Sequence, residues 1–208
     1  MSTVEQKLAA VVESAENLTQ AVEGKVGEID HRVEQAEAEF NSWLQLKDVI
    51  GEPDGQGTMR MNIFQGIIYG AGAPYSVSGA GGFIGKITDL GSSMDVFIHL
   101  KTPMNINTSD EMFWFNIRGY CYGASKIIDE TIVGYCYAPQ RNIINKASFG
   151  ELLPESYYDS AGNVILRIKV PNCYFTTIRV DTMRVGTTTL FDINSLDAKV
   201  SLTETVEF

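Results

Sequence analysis

The stretch GYCYGASKIIDETIVGYCY (119–137) carries the tetrapeptide Gly-Tyr-Cys-Tyr twice, at 119–122 and again at 134–137. Two cysteines in matching settings admit four readings: a metal pair, a redox pair, a disulfide, or two small residues filling a β core. Cys121 and Cys136 are fifteen residues apart, far from the two-residue spacing of zinc and redox motifs. Alternation, the period of an extended strand, gives a consistent account. MFWFNIRGYCY (112–122) places Cys121 on one face with Phe113, Phe115, Ile117 and Gly119, and Trp114, Asn116, Arg118, Tyr120 and Tyr122 on the other. The same rule groups Cys136 with Ile132 and Gly134, opposite Val133, Tyr135 and Tyr137. A free cysteine behaves as a small buried hydrophobe, so both are expected on the core side, with contact between them left open.

Outward from this stretch the period of two continues. Met59, Met61 and Ile63 alternate with Arg60 and Asn62, and Met94, Val96, Ile98 and Leu100 alternate with Asp95, Phe97 and His99. NVILRIKV (163–170) and YFTTIRVDTMRV (174–185) are further strand candidates, bounded by turn clusters such as DSAGN (159–163). TTTLFDINSLDAKVSLTETVEF (187–208) adds one or two more. Six or more short strands without a helical pattern between them predict a mainly β head over 58–208, an antiparallel β-sandwich or jelly roll.

The first 50 residues follow another period. Apolar side chains fall at Val4, Leu8, Val11, Ala15, Leu18, Val22, Val26, Ile29, Val33, Ala36, Phe40 and Trp43. The steps alternate between four and three except for one doubled four at Val22, a heptad seam with a stutter. The stripe is narrow and about 60 Å long, longer than a groove on one small domain. Residues 1–50 are therefore expected to form a coiled-coil stalk, and the β-branched seam residues favour three strands. Gly24 and Gly27 mark either a loosening or a break. GEPDGQG (51–57) reads as the linker between stalk and head.

Composition narrows the function. The formal net charge is −10, which opposes nucleic-acid phosphates rather than exchanging counterions with them. No stretch reaches the roughly 18 apolar residues of a spanning helix. MSTVEQKLAAVVESAENL (1–18) has acidic residues where a signal peptide carries a basic flank. Three cysteines are too few and odd in number for a disulfide scaffold. The expectation is a chain made in a reducing cytoplasm, with no nucleic-acid partner and no membrane insertion.

No catalytic or metal constellation emerges. In the Gly-rich segment 70–87, alignment on Gly85 and Lys86 puts Ala80 and Ile87 where a phosphate loop needs Gly and Ser or Thr. His31 and His99 find no convergent partners. The pairs Asp110, Glu111 and Asp129, Glu130 read as solvated turn residues, since neighbours on extended chain point apart. No cofactor and no enzymatic activity are expected. The tyrosines are more informative. Trp114, Tyr120 and Tyr122, with Tyr157 and Tyr158 from a loop, are the candidate contact surface, because aromatic rings with polar tips suit sugar faces and protein interfaces alike. The other reading of these rings is packing between subunits or under loops.

IRGYCYGASKIIDETIVGYCYAPQRNIIN (117–145), followed by YYDSAGNVILRIKVPNCYFTTIRVDTMRVG (157–186), resembles the C-terminal β domain of bacteriophage tail fibres. Those domains share a Gly-Tyr-x-Tyr strand, a second aromatic strand, an Ile-Asn segment, and a Gly-x-Val-x-Leu-Arg strand before a long Thr-rich one. The likeness spans about residues 113–186. It implies a homotrimer in the virion, made in the host cytoplasm and joined to other virion proteins through its N-terminal region. It also implies a receptor-binding role, adsorption to a host surface glycan or protein, with no catalytic residues to carry over. A structural virion component, such as a connector, head fibre or decoration protein, is the alternative.

Overall fold

The computed structural model describes residues 3–52, 55–69, 83–86, 95–186 and 188–208; of Gln45, Tyr69 and residues 83–86 it describes the backbone alone. Contacts divide the chain into two units, with the boundary after Lys47.

The first unit is one helix, α1 (Val4–Leu46), of 43 residues. It begins with a reciprocal cap: Gln6 N–H donates to the Thr3 hydroxyl at 3.4 Å and Thr3 N–H donates to the Gln6 side-chain oxygen at 3.0 Å. Gly24 and Gly27 neither loosen nor break it into two, and a Cβ added at either would meet nothing within 4 Å. The large seam residues, from Val4 to Trp43, are each 50–84% exposed, and Ala15 and Ala36 are exposed as well.

The second unit is built from β1 (Val49–Ile50), β2 (Met59–Tyr69), β3 (Phe83–Lys86), β4 (Val96–Asn105), β5 (Asp110–Cys121), β6 (Lys126–Tyr137), β7 (Asn142–Phe149), β8 (Glu155–Tyr158), β9 (Asn163–Val170), β10 (Thr176–Met183) and β11 (Asp197–Ser201). Residues 49–50 belong to this sheet structure, pairing with Arg60 and Met59. One sheet has the order β1-β2-β10-β5-β6-β7, with β3 added to β2, and the other has the order β11-β4-β9-β8. Pairing is antiparallel except between β2 and β3. The C-terminal segment contributes one strand, β11.

The alternating patterns become faces. Phe113, Phe115, Ile117 and Cys121 of β5 are buried in a core shared with Ile128, Ile132 and Cys136 of β6 and Ile178 and Val180 of β10. Val96, Ile98 and Leu100 of β4 and Val164, Leu166 and Ile168 of β9 enter the same core from the smaller sheet. Phe115 sits 5.9 Å from Phe113 and 5.0 Å from Phe191 between ring centroids. All three cysteines are free and buried. In the β5–β6 register Cys136 lies opposite Glu111 and Cys121 opposite Lys126, at the two ends of the hairpin, so the repeated motif makes no cysteine pair.

Three expectations are corrected. Tyr157 and Tyr158 lie on β8 rather than in a loop, because the chain pairs there with Ile165 and Val164 of β9. Asp129 and Glu130 stand in the middle of β6 rather than at a turn: alternation sends Asp129 outward and Glu130 into the interior, 2% exposed. His99, expected to find no convergent partners, meets Tyr157 and Ser201 under the segment after β11 and is fully buried. The candidate phosphate loop at 70–87 lies outside the described residues except for the β3 backbone.

Candidate functional site

The outer face of the larger sheet is laid out in rows by its register. Trp114 lies between Met183 and Val133, Asn116 between Asp181 and Thr131, Arg118 between Arg179 and Asp129, and Tyr120 between Thr177 and Ile127. β2 extends three of these rows, adding Met59 beside Met183, Gln65 beside Arg179 and Ile67 beside Thr177. An apolar row, a hydrogen-bonded polar row, an arginine row and a second aromatic–aliphatic row thus follow one another along β5. Tyr120 is 47% and Ile127 76% exposed.

Two aspartates, Asp181 in the polar row and Asp129 in the arginine row, organise this part of the face. Asp181 is buried; it accepts the Asn62 N–H at 2.8 Å and meets Arg179 Nη2 at 3.3 Å. Asp129 accepts from Asn116 Nδ2 at 3.0 Å and faces Arg118 Nε at 3.5 Å. Asn116 also donates to Thr131 Oγ1 at 3.0 Å. Arg118 and Arg179 stand directly opposite each other, a like-charge pairing that weakens a sheet unless neighbouring charges offset it. Each has its own aspartate. Between them is a concavity of about 370 Å³ lined by Asn62, Gln65, Arg118, Gly119, Thr177 and Arg179. Gly119 is required there, because a Cβ would lie 2.0 Å from the Thr177 carbonyl oxygen.

The five expected contact residues divide. Trp114 and Tyr120 share this outer face, and Tyr122 stands 61% exposed in the turn beyond β5, its ring 6.3 Å from Tyr174. Tyr157 and Tyr158 belong to the smaller sheet, where Tyr158 is 43% exposed. The arginine pair beside Tyr120 was not singled out by sequence reasoning. Its only signal is that alternation sets Arg118 and Arg179 on the outward faces of β5 and β10.

The smaller sheet holds a network that joins three distant segments. Val206 N–H donates to the Tyr157 oxygen at 3.1 Å, which directs the tyrosine O–H to His99 Nδ1 at 2.9 Å. His99 Nε2 faces Ser201 Oγ at 2.8 Å and the Thr203 carbonyl at 3.2 Å, and the serine hydroxyl donates to that carbonyl at 2.8 Å. This arrangement has the residues of a serine–histidine pair, but its proton order is reversed: the hydroxyl proton points away from the ring that a nucleophile would need as its base. Burial first, then the charges of Arg167 and Lys199, pushes the His99 pKa down to about 4 against a backbone contact to Thr203 that raises it. The network fastens residues 202–208 across the sheet. Arg167 Nη1 adds a bond to the Glu204 carbonyl at 2.8 Å, and the Phe208 ring lies under Lys199 and Lys101, 4.4 and 5.5 Å from its centroid.

Glu130 performs a similar fastening inside the head. Its carboxylate accepts from Glu151 N at 3.2 Å and Leu152 N at 3.1 Å, and burial raises its pKa. Gly150, at φ +140°, makes room, since a Cβ there would fall 1.9 Å from a Glu130 oxygen.

Among the described residues no group of three or more His, Cys, Asp or Glu side chains is placed to hold a metal ion, and no helix is long and apolar enough to cross a membrane. Comparison with known proteins finds no matching family model, no similar curated protein and no similar solved structure.

Proposed function

We propose that the chain is a trimeric receptor-binding fibre protein of a bacteriophage virion, with α1 as a three-stranded coiled-coil stalk and the β unit as a sandwich or jelly-roll head that adsorbs to the host surface. The observation that carries this reading is the helix itself. A 43-residue helix with every large seam residue at least half exposed leaves an apolar stripe uncovered among the described residues, and copies of the same seam supply a cover. The order of strand segments shared with tail-fibre domains supports the placement in a virion. The outer face with Trp114 and Tyr120 supports contact with a surface. The mechanism is non-covalent: three weak sites on one assembly engage a repeated receptor, and linkage raises the effective affinity by orders of magnitude.

Light scattering on the full chain tests the assembly. A mass about three times 22.9 kDa is expected, and a monomer mass overturns the stalk. Adsorption is tested with labelled chain on a panel of bacterial cells, where saturable binding competed by unlabelled chain is expected. The alternative, a structural component whose head binds another virion protein, draws support from the apolar row of Met183, Trp114 and Val133. A trimer without saturable cell binding favours that alternative.

A further inference from the structure

The geometry points to the concavity between Arg118 and Arg179 as a binding site for an acidic saccharide, a sugar carrying a carboxylate. The inference rests on the surface-binding reading for its biological setting, and its chemistry follows from four features grouped on this face.

The first is charge. The chain carries a formal net charge of −10, yet here two guanidiniums face each other across β5 and β10, 51% and 43% exposed. Each offers five N–H donors and, among the described residues, makes one long contact to a carboxylate, at 3.5 and 3.3 Å. Both arginines line the concavity and keep donors to give. A planar carboxylate is the acceptor that matches such a fork.

The second is an uncharged amide: Asn62 lines the same concavity, and a carboxamide suits a hydroxyl as a guanidinium suits a carboxylate. The third is the polar rim: Gln65 and Thr177 are exposed at its edge and can give and accept hydrogen bonds with ring hydroxyls. The fourth is Tyr120, one row along β5 from the arginines and 47% exposed, which presents a ring against which the C–H face of a sugar can lie. A phosphate or an acidic peptide would use the arginines alone. A sugar acid uses all four features, and about 370 Å³ lies at the small end of ligand sites, the size of a single acidic unit.

Binding is measured on the full chain by titration calorimetry with short oligomers of galacturonate, glucuronate and N-acetylneuraminate, each beside its neutral methyl ester, and with inorganic phosphate. At least one acidic oligomer is expected to bind, its ester about tenfold or more weaker, and R118Q and R179Q each to weaken it by about tenfold, the loss of a charge-assisted hydrogen bond. Y120A is expected to weaken it several-fold while leaving the phosphate response unchanged. Thermal unfolding of each variant separates lost binding from lost fold: R118Q and Y120A, at exposed side chains, should match the parent, and R179Q, which takes the cation from buried Asp181, should melt lower. No binding by any acidic oligomer, equal binding by acid and ester, or equal binding by parent and the R118Q/R179Q double variant overturns the inference. So does phosphate binding as tightly as the oligomers. The two proposals fail separately. Saturable cell binding that the double variant retains removes this site and keeps the surface-binding reading. Saccharide binding by a chain that ignores cells does the reverse.

Discussion

The helix and the β head answer the same problem in opposite ways. The head folds its apolar residues against one another, so that Phe113, Phe115, Ile117 and their partners on β4 and β9 are buried within one chain. The helix arranges its seam residues with equal regularity and leaves every large one at least half exposed. Apolar content is therefore no measure of self-sufficiency; what matters is whether the chain returns to cover its own stripe. A strand in a sheet is covered by the next strand, but a helix of 43 residues extends beyond what a single small domain can cover. Under the proposed trimeric assembly, the stability of the head should be independent of protein concentration, whereas that of the helix should rise with it by mass action.

The contrast breaks most visibly through the head core. Phe115→Ala removes a fully buried ring packed between Phe113 and Phe191 and is expected to lower head stability by about 3–5 kcal/mol. Denaturant unfolding followed by near-ultraviolet circular dichroism reads this. The oligomeric mass should stay unchanged, and a variant that loses its assembly as well would show that the two regions are not independent.

Acid sharpens the contrast by a smaller amount. His99 binds its proton at 6.5 when unfolded and only at about 4 when folded, so the unfolded state takes up the proton first. The stability it contributes is whole above 6.5, falls as pH drops toward about 4, and is then lost. A loss of about 3 kcal/mol is expected over this window. Tyr157, Ser201, Arg167 and Lys199 surround the ring, and none offers a negative charge to a protonated imidazole. Glu130, with its raised carboxyl pKa, opposes the trend, because the folded head binds that proton more readily. H99Q is therefore the control: its stability against pH should lose the histidine slope and keep the glutamate one. If the slope persists in H99Q, another group causes it.

The smallest effect belongs to the helix. Gly24→Ala and Gly27→Ala add a methyl group to open surface and should each stabilise α1 by about 1 kcal/mol. The gain should appear in the thermal melting of the 222 nm signal and leave the unfolding of the head unmoved.

The regions also differ in how far their residues disclosed them. A period of three and four reveals a helix because every contact that defines it is local, and the seam from Val4 to Trp43 needed nothing else. Alternation likewise sorted Cys121 from Tyr120 and Cys136 from Tyr135, since a strand turns each neighbour to the opposite face. It does not say which strand lies beside which. The placement of β10 between β2 and β5 joins Arg179 to Arg118 across 61 residues, and nothing local announces it. The His99 network is harder still, drawing on residues 99, 157 and 201 from three strands. Glu130 looked like a turn residue because a carboxylate is ordinarily solvated; its true partners are backbone N–H groups of a loop 21 and 22 positions away.

The three cysteines have a practical consequence. All lie between residues 121 and 173 and none in the helix, all are fully buried, and burial pushes the Cys136 and Cys173 thiols up to about 11. A thiol reagent therefore reaches them only when the head opens. Cys121 and Cys136 sit at opposite ends of the β5–β6 hairpin, so labelling followed by mass spectrometry would time the opening of each end separately. The protein carries its own clock for the β head, and the helix is silent to it.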